Sequence, residues 1–225
     1  MTKTIVITVG GVKDFCHQRV SERFRRLVNE GRVPFPNQDR FMGYATLNPG
    51  EVGLNFTLVA GNALSAAEMT RMDIELREQV LVTVEWFRQH FPEFADCYLV
   101  DSAVSVGVRA GRSIVGLETI TCRDLDEGTP VAEPVALGRR SYGGHALRSF
   151  HAAWSRNNPG VRGIPRKALI PVRLRNAAAA GRAISAEPRA ISSFRLISQC
   201  VTIGQGAGVL AALAARSGED VADVP

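Results

Sequence analysis

The chain has 225 residues, 45% of them hydrophobic and 22% charged, which suits one large domain or two small ones with a real core and is wrong for a disordered chain. The net charge of +5 comes from arginines scattered singly or in pairs, with no basic run or nucleic-acid-binding module, so the excess argues against a nucleic-acid partner. The longest apolar run, Gly206 to Ala215, is too short to cross a bilayer and the N-terminus lacks a small-residue cleavage site, so a cytoplasmic chain without membrane contact is expected.

Taken in chain order, "KTIVITVGG" is a β-branched run ended by glycines and reads as a strand. From Phe15 to Glu30, Val20, Phe24, Leu27 and Val28 share one helical face, and Gly31 is the stop. "RFMGYATLNPGEVGLNFTLVAG" reads as a hairpin. In its "NPGE", Pro49 presets the second turn position and Gly50 supplies the positive φ of a type II turn. The strongest helix follows: "SAAE" at Ser65 to Glu68 has capping-box spacing, Met69, Met72, Leu76, Val80, Val84 and Phe87 recur at three- and four-residue steps, and Pro92 closes it. "CYLVDSAVSVGVR" and "SIVGLETIT" are further strand candidates. Residues 141–163 hold Tyr142, His145, His151 and Trp154 without periodicity and read as a long functional loop. The basic stretch "VRGIPRKALIPVRLR" is suited to an anionic ligand or acidic partner. Cys16, Cys97, Cys122 and Cys200 have no zinc-like spacing, so no metal site is expected.

The chain ends on "TIGQGAGVLAALAARSG". A dinucleotide fingerprint needs G-x-G-x-x-G after a strand within a βαβ unit. "GQGAG" is G-x-G-x-G, and only seventeen residues follow Gly208. Gly204 and Gly208 lie four apart with Ala207, Ala211 and Ala215 nearby, a spacing that lets a helix press closely on a sheet. The helix start, around Ile197 to Cys200, offers backbone N–H groups to an anionic or carbonyl oxygen.

The segment "AAAAGRAISAEPRAISSFRLISQCVTIGQGAGVLAALAARSG" resembles the C-terminal part of the FAD-dependent oxidoreductase family of glutathione-reductase-like flavoproteins. "VGVRAGRSIVGLETIT" and "GIPRKALIPVRLRNAAAAGR" are similar to two upstream family segments, and "TIVITVGGV" to a mid-chain strand. The resemblance implies an α+β fold. Residues 1–172 would form a substrate-binding and interface domain with a mixed or antiparallel sheet, and residues 173–225 a strand and helix that complete an FAD-binding domain. The family's G-x-G-x-x-G half is not found in the sequence. The expectation is therefore a subunit of a split, heteromeric FAD-dependent oxidoreductase, whose partner chain carries that half. A fragment of a longer chain is the alternative.

By the same resemblance, the turn at Gly181 and Arg182, with Ser185 just beyond, approaches the ribityl and pyrophosphate part of FAD; otherwise Arg182 pairs with a carboxylate. Ile197, Ser198 and Gln199 point helix-start amides at the flavin, and Arg195 either assists that charge or braces the loop. Ala177 to Ala180, helical by propensity, becomes a short buried strand. Arg109 and Arg112 match paired arginines that frame the substrate pocket or form structural ion pairs. Tyr142 and His145 fall where the family places pocket residues. His145 is the candidate general base and Tyr142 and Arg109 its catalytic companions; a surface histidine is the alternative. "EPRAISS" has Pro188 and Ile191 where relatives often carry histidines, which leaves a non-catalytic scaffold subunit as the second functional expectation.

Overall fold

The computed structural model describes residues 2–35, 40–138 and 161–224. By contacts these divide into two compact units, 2–109 and 110–224.

The first unit is built on an antiparallel sheet of order β3-β4-β2-β5, with strands β2 (Ile7–Gly10), β3 (Gly43–Ala45), β4 (Val52–Leu54) and β5 (Tyr98–Ser102). The expected hairpin is β3-β4, registered Gly43 to Leu54 and Ala45 to Val52. Its turn closes from Glu51 N–H to Asn48 C=O at 3.2 Å, with Gly50 at φ +78°. Beside this sheet, β1 (Lys3–Thr4) pairs with β6 (Gly107–Val108). Two helices supply the rest of the core. Helix α1 (His17–Asn29) buries Val20, Phe24 and Leu27, as its periodicity requires. Helix α2 (Ala66–His90) buries Met72, Leu76, Val80, Val84, Trp86 and Phe87, each large side chain contributing about 1.5–3 kcal/mol. Ser65 caps α2 by accepting from Glu68 N–H. The capping box is only half formed, because the Glu68 carboxylate accepts from Asn62 N–H instead, at 2.8 Å. Aromatic rings fill the centre: Phe56 and Phe87 lie 5.0 Å apart, Phe24 and Phe56 5.3 Å. Edge-to-face and tilted packing of this kind adds to plain burial.

The second unit contains α3 (Cys122–Glu127), the antiparallel pair β7 (Pro134–Gly138) and β8 (Arg162–Pro165), and α4 (Ile197–Ser217). Here the sequence reading needs three corrections. "SIVGLETIT" forms no ladder: Gly116 bridges Pro171, Ile120 bridges Ala186, and the backbone between alternates its partners. Leu117 N–H reaches Ile170 C=O while Ile120 N–H reaches Ser185 C=O; switching sides in this way prevents a continuous strand. Ala177 to Ala180 is neither helix nor buried strand but lies outside regular secondary structure, half-buried to exposed, with Ala179 N–H bonded to Leu169 C=O. A strand requires neighbours along its length, and no ladder forms on this segment among the described residues. Finally, Arg162 and Gly163, read as loop, begin β8.

The basic stretch is largely spent within the unit. Arg162 donates to the Asp124 carbonyl at 2.9 Å, Arg166 to the Ala222 and Val224 carbonyls, and Arg175 pairs with Asp220 and Asp223. The last two arginines tie the segment after α4 back onto the body.

Counted as a helix, not as an unbroken apolar run, α4 has 21 residues and a mean hydropathy of 1.4 over its most apolar window, long and apolar enough to cross a membrane by length and composition alone. That corrects the run-length reading. Only 22% of the window is buried within the chain.

Candidate functional site

Helix α4 brings the sequence-predicted binding residues of the second unit together. Its buried face is Ile203, Gly206, Leu210 and Ala214, a three-and-four spacing that seats it on β7. Close approach falls on a different glycine from the pair expected. A β-carbon on Gly204 or Gly208 meets nothing within 4 Å, whereas one on Gly206 collides with the Val135 carbonyl oxygen. Helical phase explains the correction: Gly206 lies in register with Ile203 and Leu210, and the other two point away.

At the start of α4 the N-cap is Leu196, and no side chain caps the helix. The first-turn amides of Ile197, Ser198 and Gln199 therefore keep the positive end of the helix dipole. Ile197 is 85% exposed, and the Ser198 hydroxyl donates to the Gln199 side-chain oxygen at 3.0 Å. Against this first turn lies the turn at Gly181, where φ is +63° and a β-carbon would sit 3.5 Å from Cys200 Sγ. Gly181 is thus a glycine by backbone need, and it holds the neighbouring exposed Arg182 beside the helix start. On another side, a β-carbon on Gly138 would lie 3.6 Å from Gln199 Cγ and 3.7 Å from the Phe194 ring. Arg195, half-buried, sits two residues before the helix. Two arginine residues, one next to the Gly181 turn and one just before the helix, therefore accompany a bare helix N-terminus, a setting for a carbonyl or anionic oxygen.

Ser185 is placed differently. It is 2% exposed, its hydroxyl shares a hydrogen bond with Thr119 at 2.8 Å, and its carbonyl accepts from Ile120 N–H. It ties the chain just beyond the Gly181 turn to Thr119, Ile120 and, through its own N–H, the Ala168 carbonyl. Arg109 belongs to the first unit, where its buried guanidinium donates to the Thr2 carbonyl at 3.1 Å. Arg112 is exposed in the second unit. Tyr142 and His145 lie outside the described residues. Cys200, expected at the helix start, lies in its first turn. Two residues of the region were not anticipated from the sequence. Gly138 belongs to β7, which sequence did not reveal. Ser193, 2% exposed, has a hydroxyl without a hydrogen-bond partner among the described residues.

Two grooves flank α4. One, of about 620 Å³, runs between Asn176–Ala178 and the small residues Ala207, Gly208, Ala211 and Ala215. The other, of about 470 Å³, lies between Pro134–Val135 and Val209 and Leu213. From Ile197 to Ala215 the helix has no charged residue, and Val201, Val209 and Leu213 are 66%, 52% and 41% exposed.

No curated protein and no solved structure matches the chain. Residues 8–225 match the family model described as FAD dependent oxidoreductase. The chain therefore belongs to the FAD-dependent oxidoreductase family, and FAD is its cofactor.

Proposed function

We propose that this chain is one subunit of a split FAD-dependent oxidoreductase, oxidising a small organic substrate by hydride transfer to the flavin, with the G-x-G-x-x-G half supplied by a second chain. The observation that carries the reading is the surface of α4. A helix on a water-facing surface presents charged residues outward, yet this one shows water glycine, alanine, valine and leucine over five turns. Contiguous exposed apolar surface marks an interaction site. The Ala177–Ala180 segment beside it, outside any strand, offers unladdered backbone at the same place. In this reading residues 173–225 close the partner's FAD domain and residues 1–172 serve substrate binding and the interface, in a hetero-oligomer located in the cytoplasm.

The residues present fit the cofactor. Gly181 leaves no side chain between its turn and the first turn of α4, the uncapped amides there suit a flavin carbonyl or phosphate oxygen, and the unpartnered Ser193 hydroxyl lies just upstream. When bound, FAD supplies the hydride acceptor. What this chain adds is placement. The Gly181 turn and Arg182 hold the cofactor's anionic part, with Ser185 bracing them. Ile197, Ser198 and Gln199 orient amides towards its ring, Arg195 raises the local positive potential, and the apolar grooves exclude water. His145 and Tyr142 are the groups proposed to move the substrate's proton. The hydrogen bond from Arg109 to Thr2 makes that arginine a brace for the first unit in addition to any part in framing substrate.

That buried brace also favours a second reading, in which the chain is a scaffold that closes the partner's FAD site without catalytic groups. Capture through a tag on the full chain, from cells that produce it natively, tests both. A complex with flavin absorbance and a second chain bearing the dinucleotide fingerprint is expected. Its turnover should fall when His145→Ala is introduced, with FAD retained. Unchanged turnover would leave the scaffold reading. A colourless single species, or recovery of the chain in the membrane fraction through α4, would overturn the split-enzyme proposal.

A further inference from the structure

We propose that Gly206 is a positioning residue for the cofactor site, one that fixes where the first turn of α4 stands relative to the Gly181 turn. The inference rests on reading that site as flavin-binding. Of the three glycines in "GQGAG", only Gly206 meets another backbone. A β-carbon there runs into the Val135 carbonyl oxygen and lies 3.1 Å from Val135 Cβ and 3.2 Å from its carbonyl carbon. These are atoms of β7; Val135 itself has no partner in the register and lies at a shift in it, while the pairs on either side, Pro134 to Pro165 and Ala136 to Ile164, anchor its two neighbours. Those flanking pairs limit how far the irregular backbone at Val135 can shift, and in this proposal the remaining displacement falls to the helix.

The consequence reaches the site because α4 is straightforwardly coupled to it. Ile203, one turn earlier on the same buried face, is fully buried, and Cys200, one turn earlier again, packs against Gly181. Lifting the helix at Gly206 carries those turns with it, about 1.5 Å of helix per residue away. Binding groups must be held within about 0.5 Å of their working position, which is the scale of shift needed to relieve such a contact. Propensity works in the opposite sense, since alanine is the better helix former. A loss on Gly206→Ala therefore reports the contact with β7 and not a weaker helix.

The test compares three full-length chains: wild type, Gly206→Ala and Gly163→Ala. The last introduces a clash within the same unit, 2.8 Å from Val131 Cβ and 2.9 Å from Pro134 Cβ, so it strains the β7–β8 pairing itself, while none of its three nearest atoms belongs to α4. On each isolated chain, crystallography or NMR measures the separation of Gly181 from Cys200. It should widen by about 0.5 Å or more in Gly206→Ala alone. In the complex captured through the tag, the midpoint potential of bound FAD should fall by about 30 mV in Gly206→Ala, a tenfold weaker hold on the reduced over the oxidised cofactor. Gly163→Ala should leave it unchanged. An unmoved first turn, or equal shifts in the two variants, would overturn the proposal. Should Gly206→Ala fail to fold, Ile203→Val decides: loss of one buried methyl a turn nearer the site should give a smaller shift in the potential, and none would count against the inference. A wild-type capture without flavin would sink the reading of the site, and the displacement alone would then judge Gly206.

Discussion

Gly181 shows what one residue contributes to the site proposed for the cofactor. Its φ of +63° is tolerated by glycine and strained for other residues. A β-carbon there would meet Cys200 Sγ only at ordinary contact distance, so the cost of Gly181→Ala comes from the dihedral, about 1 kcal/mol. Denaturant unfolding of the free chain should show that modest loss, while FAD retention in the captured complex falls at least about tenfold. Equal retention would remove Gly181 from the site. A second residue has a pH signature. The Cys122 thiol is pushed up to about 11 by burial first, then by the Glu187 carboxylate, which also accepts from Cys122 N–H at 2.8 Å. A raised thiol pKa favours the protonated form in the folded chain. Its stabilising effect is complete below the ordinary thiol value of 9.0 and is lost as pH rises through about 11. Iodoacetamide at about pH 9 should accordingly modify the exposed Cys16 and spare Cys122. Glu187→Gln should speed modification of Cys122 several-fold, and an unchanged rate would assign the shift to burial alone.

At the scale of the element, α4 behaves as a surface helix in position and as a core helix in composition. Val209→Glu should leave the free chain's stability within about 0.5 kcal/mol, as expected for an exposed position, and yet abolish recovery of the second chain and its flavin. Retained recovery would show that the groove beside β7 lies outside the interface. The elements legible in the sequence were those whose signal is local. Helix α2 carries its cap at Ser65 and its apolar face within one stretch, and the β3-β4 hairpin declares itself by Pro49 and Gly50 at the turn. What stayed hidden depends on distant partners. Strand β7 pairs with β8 across more than twenty residues of chain, and the path from Ser113 to Thr121 is set by alternating contacts with 167–172 and 183–187, which no periodicity encodes. Among the residues proposed for the site, Gly181 and the α4 start were named from the family resemblance, and the structure sets the two side by side. The choice of Gly206 over Gly204 and Gly208 required knowing which face of the helix meets β7.

For the whole molecule, the two units differ in how completely they account for their own apolar residues. The first closes an aromatic core between a four-stranded sheet and two helices, with Phe24, Phe56, Phe87, Phe91 and Phe94 essentially inaccessible. The second ends in a helix that its own body covers along one face only. Such an imbalance is resolved when another surface takes up the remainder, and in the function proposed above that surface is a flavin-carrying domain on a second chain. The most direct measurement is maleimide labelling of Val201→Cys in the free chain and in the captured flavin complex, with the exposed Cys16 as internal reference. Rapid labelling of position 201 in the free chain and strong protection in the complex is the result expected. Equal labelling in both, relative to Cys16, would contradict burial of α4 against a partner.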